Sequence, residues 1–279
     1  MVSSARFKTI VVGIDFSKLS RAALRQAILL QEMMDCKLVL AHVAFLPDNI
    51  EEIVNDKWKG EMGKQVAKEI HSFYRLPKDV SFELKLALGN PAQELIEIAK
   101  QSVTPLILVG ASGRNLVSRM LLGSTAEQLA VTSPCPVWIH KTTTAVSPKK
   151  VLATVDLSKS SEALVRWTQM FAQNYDLKVE GLFVSRPLVP VLDIEAYAGF
   201  LDEAEMITAR KFKAFRASRK NVPIIKRIGD PVEEIIRAGK KSDLIVMTPH
   251  NRPKHFPTLG SVCAKVARKS KTPILIIPA

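Results

Sequence analysis

A chain of 279 residues with 40 Lys and Arg against 27 Asp and Glu carries a formal net charge of +13 and a pI near 9.7. Its 47% hydrophobic and 24% charged residues are typical of a soluble globular protein, and the length suits two domains of about 140 residues. No apolar run reaches the roughly 18 residues that span a bilayer, and we expect no signal peptide because the N-terminus passes directly into a strand pattern. Three scattered cysteines, Cys36, Cys135 and Cys263, exclude a disulfide framework and favour the cytoplasm.

The positive charge is concentrated in the second half of the chain. Residues 1–144 have a balance of +3 and residues 145–279 a balance of +10. Within the second half, Arg210–Lys220 predicts an amphipathic basic helix with Phe212 and Phe215 facing inward. Such a surface can bind nucleic acid or an anionic membrane. A solvated helix face is the interpretation we favour, because no recognised nucleic-acid module accompanies it.

The first half of the sequence alternates strand and helix patterns. Lys8–Ile14 is a β-branched run that predicts a strand, and Ser17 or Ser20 follows it as the cap of a helix. A mixed-charge segment from about Asn49 to Tyr74 has apolar residues at helical spacing. The other predicted strands are Lys37–Ala44, Val80–Leu88, Leu106–Gly110 and Val137–His140. Strands alternating with helices predict an α/β domain with a doubly wound parallel sheet.

The strand Leu106–Gly110 leads into a loop that contains glycine and ends where a helix begins. Gly113 lies within this loop, and Gly123 precedes Ser124 and Thr125 at the predicted helix start. Glycines allow backbone N–H groups to approach a ligand, and a helix N-terminus adds unpaired donors and a partial positive charge. The segment therefore predicts a phosphate-binding loop, although its spacing matches neither a Walker A loop nor a GxGxxG turn. The alternative is an ordinary strand-to-helix connection.

Asp15 follows the first strand and has two competing interpretations. Ligands of open α/β sheets bind beyond the carboxyl ends of strands where the strand order reverses. If the first and fourth strands are neighbours, Asp15 and Gly110 face one crevice, in which the carboxylate accepts hydrogen bonds from a ribose or base. The alternative is a turn or helix-capping aspartate.

The second half repeats the first. After the polar linker Thr142–Pro148, Lys150–Ser158 repeats the segment that ends in Asp15 and Ser17 at an offset of 141. Further repeated landmarks are Lys178–Ser185, Gly229–Pro231, Gly260–Ser261 and Lys271–Pro278. Landmarks in the same order at a nearly constant offset indicate an internal duplication, and we predict domains at residues 1–144 and 145–279.

The chain resembles a tandem universal stress protein over nearly its whole length. Gly110-x2-Gly113-x9-Gly123-Ser124 matches that family's ATP-loop signature at every fixed position, and the segment through Asp15 and Ser17 matches its nucleotide-contacting aspartate. The resemblance implies two Rossmann-like α/β domains, each with a five-stranded parallel sheet of order 3-2-1-4-5 flanked by helices. It also implies an ATP-binding stress-response regulator without strong catalytic activity.

The resemblance further implies a set of site residues in the first domain. Asp15 contacts the adenosine moiety with Ser17 beside it, Val43 meets the adenine through its backbone, and Mg²⁺ accompanies the phosphates. The expected phosphate loop consists of Gly110, Ala111, Ser112, Gly113, Gly123, Ser124 and Thr125. We identify no catalytic residue and no protein metal ligand.

The second copy departs from the signature. Thr248 and Asn251 replace the first two glycines, eight residues rather than nine separate Asn251 from Gly260, and three prolines restrict the loop. We therefore expect this copy to bind ATP weakly or not at all. The loop histidines His250 and His255 lie among cations without a nearby pair of cysteines, which favours solvated residues over a metal site.

The resemblance also predicts how the two domains assemble, and two other functions remain as alternatives to ATP-dependent regulation. In single-domain proteins that the chain resembles, the last strands pair across a dimer, so Val137–His140 and Ile274–Ile277 are expected to pair within one chain, with a homodimer of whole chains as a further option. The first alternative function is a scaffold with vestigial nucleotide binding, whose basic half binds an anionic partner. The second is a slow ATPase.

Overall fold

A computed structural model describes residues 5–44, 56–76, 79–112, 122–187, 195–219, 221–249 and 259–278. The strands are β1 Thr9–Gly13, β2 Lys37–Ala44, β3 Glu83–Leu88, β4 Pro105–Gly110, β5 Val137–His140, β6 Lys150–Val155, β7 Lys178–Ser185, β8 Ile224–Ile228, β9 Leu244–Met247 and β10 Ile274–Ile276. The helices are α1 Lys18–Met34, α2 Asp56–Tyr74, α3 Pro91–Lys100, α4 Ser124–Thr132, α5 Lys159–Asn174, α6 Glu195–Ala217, α7 Pro231–Gly239 and α8 Ser261–Lys269.

All ten of these strands form one sheet. Its order is β3-β2-β1-β4-β5-β10-β9-β6-β7-β8, so each half contributes five parallel strands in the order 3-2-1-4-5. The predicted α/β architecture and strand order are therefore confirmed. The strand order reverses between β1 and β4, and again between β6 and β9, which creates a crevice at the carboxyl ends of each half-sheet.

The two half-sheets join through their last strands. Strand β5 pairs with β10 in antiparallel fashion, with Trp138 opposite Leu275. The linker after β5 contacts α1, where the buried Gln26 side chain exchanges two hydrogen bonds with the backbone of Val146 (2.9 and 2.8 Å). The predicted boundary after residue 144 lies in this irregular segment. Each last strand thus covers the edge that the other would expose.

The helices cover both faces of the sheet, as the continuous apolar runs of the parallel strands require. One core lies under α3, α4, α7 and α8, so it spans both halves. The opposite core contains side chains of α1, α2 and α5, including Trp167 and Phe171. A third, smaller cluster around Phe215 and Val165 holds the end of α6 against α5 and β8.

The structure corrects several predicted boundaries. The third strand begins at Glu83 rather than Val80, and the basic helix ends at Ala217 rather than Lys220. The predicted inward orientation of Phe215 is confirmed by its 5% exposure, and Phe212 is partly buried. The helix expected from Asn49 is described from Asp56 onward, and residues 45–55 lie outside the described part of the chain. No helix within the described ranges is long and apolar enough to cross a membrane.

Candidate functional site

Asp15 lies in a tight turn that ends β1 and begins α1. Its backbone N–H donates to Ser20 Oγ (3.1 Å), and its Oδ1 accepts from the N–H of Ser17 (3.0 Å). Ser17 then caps α1 by accepting from the N–H of Ser20 (3.0 Å). Asp15 therefore does have the turn role that was the alternative interpretation. One carboxylate oxygen suffices for that role, so it is compatible with contact to a ligand.

The residue between Asp15 and Ser17 adopts an unusual backbone conformation. Phe16 has a φ of 60°, a left-handed value that costs energy for a residue other than glycine. Its N–H donates to the Tyr74 hydroxyl (3.0 Å), which also lies 2.8 Å from Ser20 Oγ. Leu157, the equivalent residue of the second half, has a φ of 63°. Both halves therefore preserve the same strained turn at the crevice.

The end of β4 brings the second part of the site beside this turn. Gly110 pairs with His140 of β5, and the Ala111 N–H donates to the His140 carbonyl oxygen (2.9 Å). The Ala111 carbonyl oxygen accepts from the N–H of Gly123 (2.7 Å), which places the start of α4 beside the end of β4. Ala111 thus closes the loop without facing the crevice, since its side chain is buried in the core.

The N-terminus of α4 differs from those of most other helices. Side chains cap α1, α3, α5 and α7, and the capping residues are Ser17, Asn90, Ser158 and Asp230. Helix α4 starts after Gly123 without a side-chain cap, and α8 starts after Gly260 in the same way. The first N–H groups of a helix have no partner within it, so at α4, which has no side-chain cap among the described residues, these donors and the positive end of the dipole lie at the helix start.

These elements enclose a cleft of about 270 Å³. The predicted site residues that line it are Asp15, Val43, Gly110, Ser112, Gly123, Ser124 and Thr125. Two other predicted residues, Ser17 and Ala111, support the turn and the loop from behind rather than lining the cleft. Gly113 lies outside the described residues. The structure thus brings the carboxylate and the uncapped helix start to one cavity.

Several residues of this wall were missed by sequence reasoning. They are Gly13, Ile14, Ser20, Ala41, Pro91, Leu95, Val109 and Ala126. The repeated Gly89-Asn90-Pro91 turn was a usable signal for one of them, because Asn90 caps α3 and so fixes Pro91 at the edge of the cleft. Asp15 is the only ionisable residue that lines the described part of this cleft. Among the described residues of this wall, the groups available to an anion are therefore backbone N–H groups and hydroxyls.

Gly110 also has a role in packing. A Cβ on Gly110 would stand 2.9 Å from the carbonyl carbon of Leu19 and 3.1 Å from the backbone nitrogen of Ser20. Helix α1 therefore approaches β4 so closely that glycine is required for packing. Thr248 occupies the equivalent position of the second half.

The second half encloses a larger cleft, of about 410 Å³. Asp156 occupies the same kind of turn as Asp15, since its Oδ1 accepts from the N–H of Ser158 (3.0 Å) and from the Ser161 hydroxyl. Its wall is more apolar at the helix start, where Val262 replaces Thr125 and Cys263 replaces Ala126. Burial raises the pKa of the Cys263 thiol to about 12, so the thiol is protonated at neutral pH.

The groups needed for a metal centre do not converge in the described ranges. No cluster of three or more His, Cys, Asp or Glu side chains occurs there. The loop histidines His250 and His255 lie outside those ranges. Near the first cleft, His42 Nδ1 lies 2.9 Å from the Ile14 carbonyl oxygen, which fixes the ring against the end of β1.

Comparison with known proteins relates both halves to one family. The family model described as "Universal stress protein family" matches residues 6–141 and 148–278. Universal stress protein Rv2005c of Mycobacterium tuberculosis is 24% identical over 290 residues, which cover 96% of both chains. Universal stress protein YxiE of Bacillus subtilis is 32% identical over 149 residues, covering 48% of this chain and 98% of its own. A solved universal stress protein from Archaeoglobus fulgidus has a TM-score of 0.67 at 19% identity and covers 99% of each chain.

Proposed function

Because this chain belongs to the universal stress protein family, with one family domain in each half, we propose that its N-terminal domain binds ATP and that the protein acts as a stress-response regulator rather than a strong catalyst. The observation that carries the proposal is the uncapped N-terminus of α4, which opens into the same cleft as the Asp15 carboxylate. A helix start of this kind favours phosphate, whereas a carboxylate accepts hydrogen bonds from ribose hydroxyls or a base.

Each part of ATP has a matching part of the cleft. The adenine lies against the apolar wall near Val43, with Asp15 beside the adenosine moiety. The phosphates lie against Gly110, Ser112 and the start of α4, and the proposed loop also includes Gly113 of the signature. Gly110 has two roles in this arrangement. Because it has no side chain, helix α1 can pack closely against it on one side, and the cleft stays open on the other.

A magnesium ion fits this arrangement. The described wall of the cleft contains no cationic side chain to offset the charge of a triphosphate. The hydroxyls of Ser112, Ser124 and Thr125 are oxygen donors of the kind that Mg²⁺ accepts together with phosphate oxygens and water. A bound Mg²⁺ would neutralise phosphate charge, while the protein orients the nucleotide.

We further propose that the C-terminal domain does not form an equivalent ATP site. Its helix α8 is also uncapped, but Gly260 enters it with a φ of 70°, whereas Gly123 has a φ of −67°. Val262 removes the hydroxyl that Thr125 offers, and Thr248 adds a side chain where Gly110 has none. The stoichiometry should therefore be about one ATP per chain.

Mass analysis of the nucleotide that copurifies with the protein tests the proposal, together with calorimetric titration of the stripped protein with ATP and Mg²⁺. ATP or ADP at about one per chain supports nucleotide binding in the N-terminal domain. Two equivalent sites per chain would contradict the degenerate second copy. A protein that copurifies empty and fails to bind added ATP would instead favour the scaffold function, in which the basic half meets an anionic partner with strong salt dependence. Conversion of bound ATP to ADP during incubation would identify a slow ATPase.

A further inference from the structure

Ser20 and Tyr74 form a buried pair of hydroxyls beneath the first cleft. Their oxygens are 2.8 Å apart, and the two residues are 3% and 1% exposed. Ser20 lines the cleft, whereas Tyr74 approaches from the last turn of α2. Each oxygen also accepts from a backbone N–H of the turn, Ser20 Oγ from Asp15 (3.1 Å) and Tyr74 Oη from Phe16 (3.0 Å). The pair thus connects α2 and the turn to the wall of the cleft.

The second half contains the same turn without a tyrosine hydroxyl. The buried aromatic residue in the last turn of α6 is Phe215, whose side chain has no polar atom. There the Ser161 hydroxyl accepts from the Asp156 N–H (2.9 Å) and donates to Asp156 Oδ1. In the first half, no hydrogen bond within the described residues joins the Ser20 hydroxyl to the Asp15 carboxylate. The serine proton is therefore directed differently in the two halves.

The direction of the hydrogen bond between Ser20 and Tyr74 follows from the chemistry of the two hydroxyls. A phenol is the stronger acid and hence the better donor, so we assign the proton between the two oxygens to Tyr74 Oη. Ser20 Oγ then accepts from Tyr74 and from the Asp15 N–H, which uses both of its lone pairs. Its own proton has no acceptor in the described part of the chain. Because Ser20 lines the cleft, that proton is available to a ligand.

Ser20 lies between the two ends of the proposed nucleotide site. Its Oγ accepts from Asp15 at the proposed adenosine end, and its backbone nitrogen would stand 3.1 Å from a Cβ on Gly110 at the proposed phosphate end. In ATP the junction of these two parts is the α-phosphate on the ribose. A hydroxyl donor at this point of the wall suits a phosphate oxygen, because hydrogen bonds to charged acceptors are the stronger ones.

We propose that Tyr74 is a positioning residue that directs the Ser20 hydroxyl toward the α-phosphate, and that this pair makes the first cleft selective for phosphorylated adenosine over adenosine. The inference rests on the proposed ATP site. Tyr74 does not line the cleft, so it acts through Ser20. Without the Tyr74 hydroxyl, Ser20 would rotate onto Asp15 Oδ1, as Ser161 does onto Asp156, and its proton would be withdrawn from the cleft.

The pair adds to the differences between the two clefts. In the second half the serine proton is consumed within the turn, because Asp156 Oδ1 accepts from both Ser158 and Ser161. In the first half, and within the described ranges, Asp15 Oδ1 accepts from Ser17 alone. The first cleft therefore offers a phosphate a serine proton that the second cleft withholds, at a place outside the loop between β4 and α4.

Calorimetric titration of Tyr74→Phe with ATP, AMP and adenosine tests this role. We expect the affinities for ATP and AMP to fall about tenfold, since a hydrogen bond to a charged oxygen is lost. The affinity for adenosine should fall less than about threefold, because Ser20 would rotate onto Oδ1 of Asp15 and leave Oδ2 to the adenosine. Equal losses for AMP and adenosine would mean that Tyr74 only supports the turn, and would overturn the proposal.

Tyr175→Phe is the matched control. The Tyr175 hydroxyl also accepts from a backbone N–H, that of Phe7 (3.2 Å), but Tyr175 does not line the cleft. The variant therefore removes the same kind of hydrogen bond and should leave all three affinities unchanged. A loss of AMP affinity as large as that of Tyr74→Phe would assign the effect to general destabilisation and contradict the proposal.

A double variant tests whether Tyr74 acts through Ser20. Ser20→Ala should weaken AMP binding as much as Tyr74→Phe does, and combining the two should cause no further loss. Additive losses would exclude the proposed route. The unmodified chain separates this inference from the proposed function. If it binds neither ATP nor AMP, the ATP site itself is refuted, whereas nucleotide binding with an unchanged preference for AMP over adenosine in Tyr74→Phe refutes the role of Tyr74 alone.

Discussion

Gly110 at the end of β4 and Leu19 in the first turn of α1 approach each other so closely that a Cβ on Gly110 would stand 2.9 Å from the Leu19 carbonyl carbon. Real Cβ atoms do not approach backbone atoms to this distance, and neither backbone segment can move without shifting a strand or a helix. A glycine of the proposed phosphate loop is thus also a packing residue. Loss of ATP binding after its replacement would therefore not by itself locate the ligand.

The first prediction follows from this contact. Gly110→Ala should destabilise the protein by about 1–3 kcal/mol, because the added methyl group overpacks the contact between α1 and β4. The free energy of unfolding in urea measures the effect. Gly60→Ala is the control, since a Cβ on Gly60 in α2 meets nothing within 4 Å and should stabilise the helix slightly. If Gly110→Ala leaves the free energy of unfolding unchanged, helix α1 can move away from β4 at little energetic cost.

The second prediction separates the turn role of Asp15 from its ligand role. Asp15→Asn retains an oxygen that accepts from the N–H of Ser17, so the turn should persist, while the negative charge is lost. We expect ATP affinity to fall about tenfold, the effect of losing a charge-assisted hydrogen bond of roughly 1.5 kcal/mol. Asp156→Asn makes the same change in the second half and should leave the affinity unaltered. Equal effects of the two variants in a calorimetric titration would contradict the assignment of ATP to the N-terminal domain.

The third prediction replaces a residue of the first cleft by the residue at the equivalent position of the second cleft. Thr125→Val introduces the residue found at Val262 and removes a hydroxyl from the proposed phosphate end of the cleft with little change in volume. ATP affinity should fall several-fold, with unchanged stability. The more severe Gly113→Val variant should abolish binding, because a branched side chain would occlude the phosphate loop. Retained affinity in Gly113→Val would place the site elsewhere.

The fourth prediction concerns His140 on β5. The ring is fully buried, its Nε2 lies 3.1 Å from Thr142 Oγ1, and its Nδ1 has no hydrogen-bond partner in the described residues. Because Thr142 Oγ1 donates its proton to the Thr144 carbonyl oxygen, we assign the His140 proton to Nε2. Burial lowers the pKa of His140 from 6.5 to about 4. The folded state therefore contains the neutral imidazole over most of the acidic range.

The sign of the pH effect follows from this lowered pKa. Between pH 6.5 and about 4 the unfolded chain binds a proton that the folded chain does not, so the stability should fall by about 1–3 kcal/mol across that window. His140→Ile, which copies the equivalent buried Ile277, should lack this part of the acid sensitivity. Urea unfolding of both proteins at pH 7 and pH 4.5 measures the difference. If both proteins lose the same free energy of unfolding between pH 7 and pH 4.5, groups other than His140 dominate the acid sensitivity.

The fifth prediction concerns the connection between the two halves. Gln26→Leu keeps the side-chain volume but leaves the N–H and carbonyl oxygen of the half-buried Val146 without their partner. The cost should be about 1–3 kcal/mol. Hydrogen exchange should locate the loss of protection in the linker after β5 and in α1. Protection unchanged in these segments would mean that the β5–β10 pair holds the linker without this contact.

The sequence by itself determined the features that depend on neighbouring residues. Apolar periodicity identified the alternation of strands and helices, and serine, asparagine or aspartate before a helix identified caps such as Ser17 and Asn90, because these interactions form within a few residues. The offset repeats identified two copies of one domain. The signature through Gly110 and Gly123 pointed to the cleft that the structure forms, since a strand end and the following helix start are close in the chain.

Only the tertiary structure decided which distant segments meet. Ala41 and Leu95 line the cleft because the sheet order places β2 and α3 beside the ends of β1 and β4, and no local pattern encodes that neighbourhood. The same holds for the contact of Gly110 with Leu19 of α1. The same is true of Ile207, which is 43% exposed on α6, because the apolar residues of a helix do not by themselves show which of them the half-sheet covers.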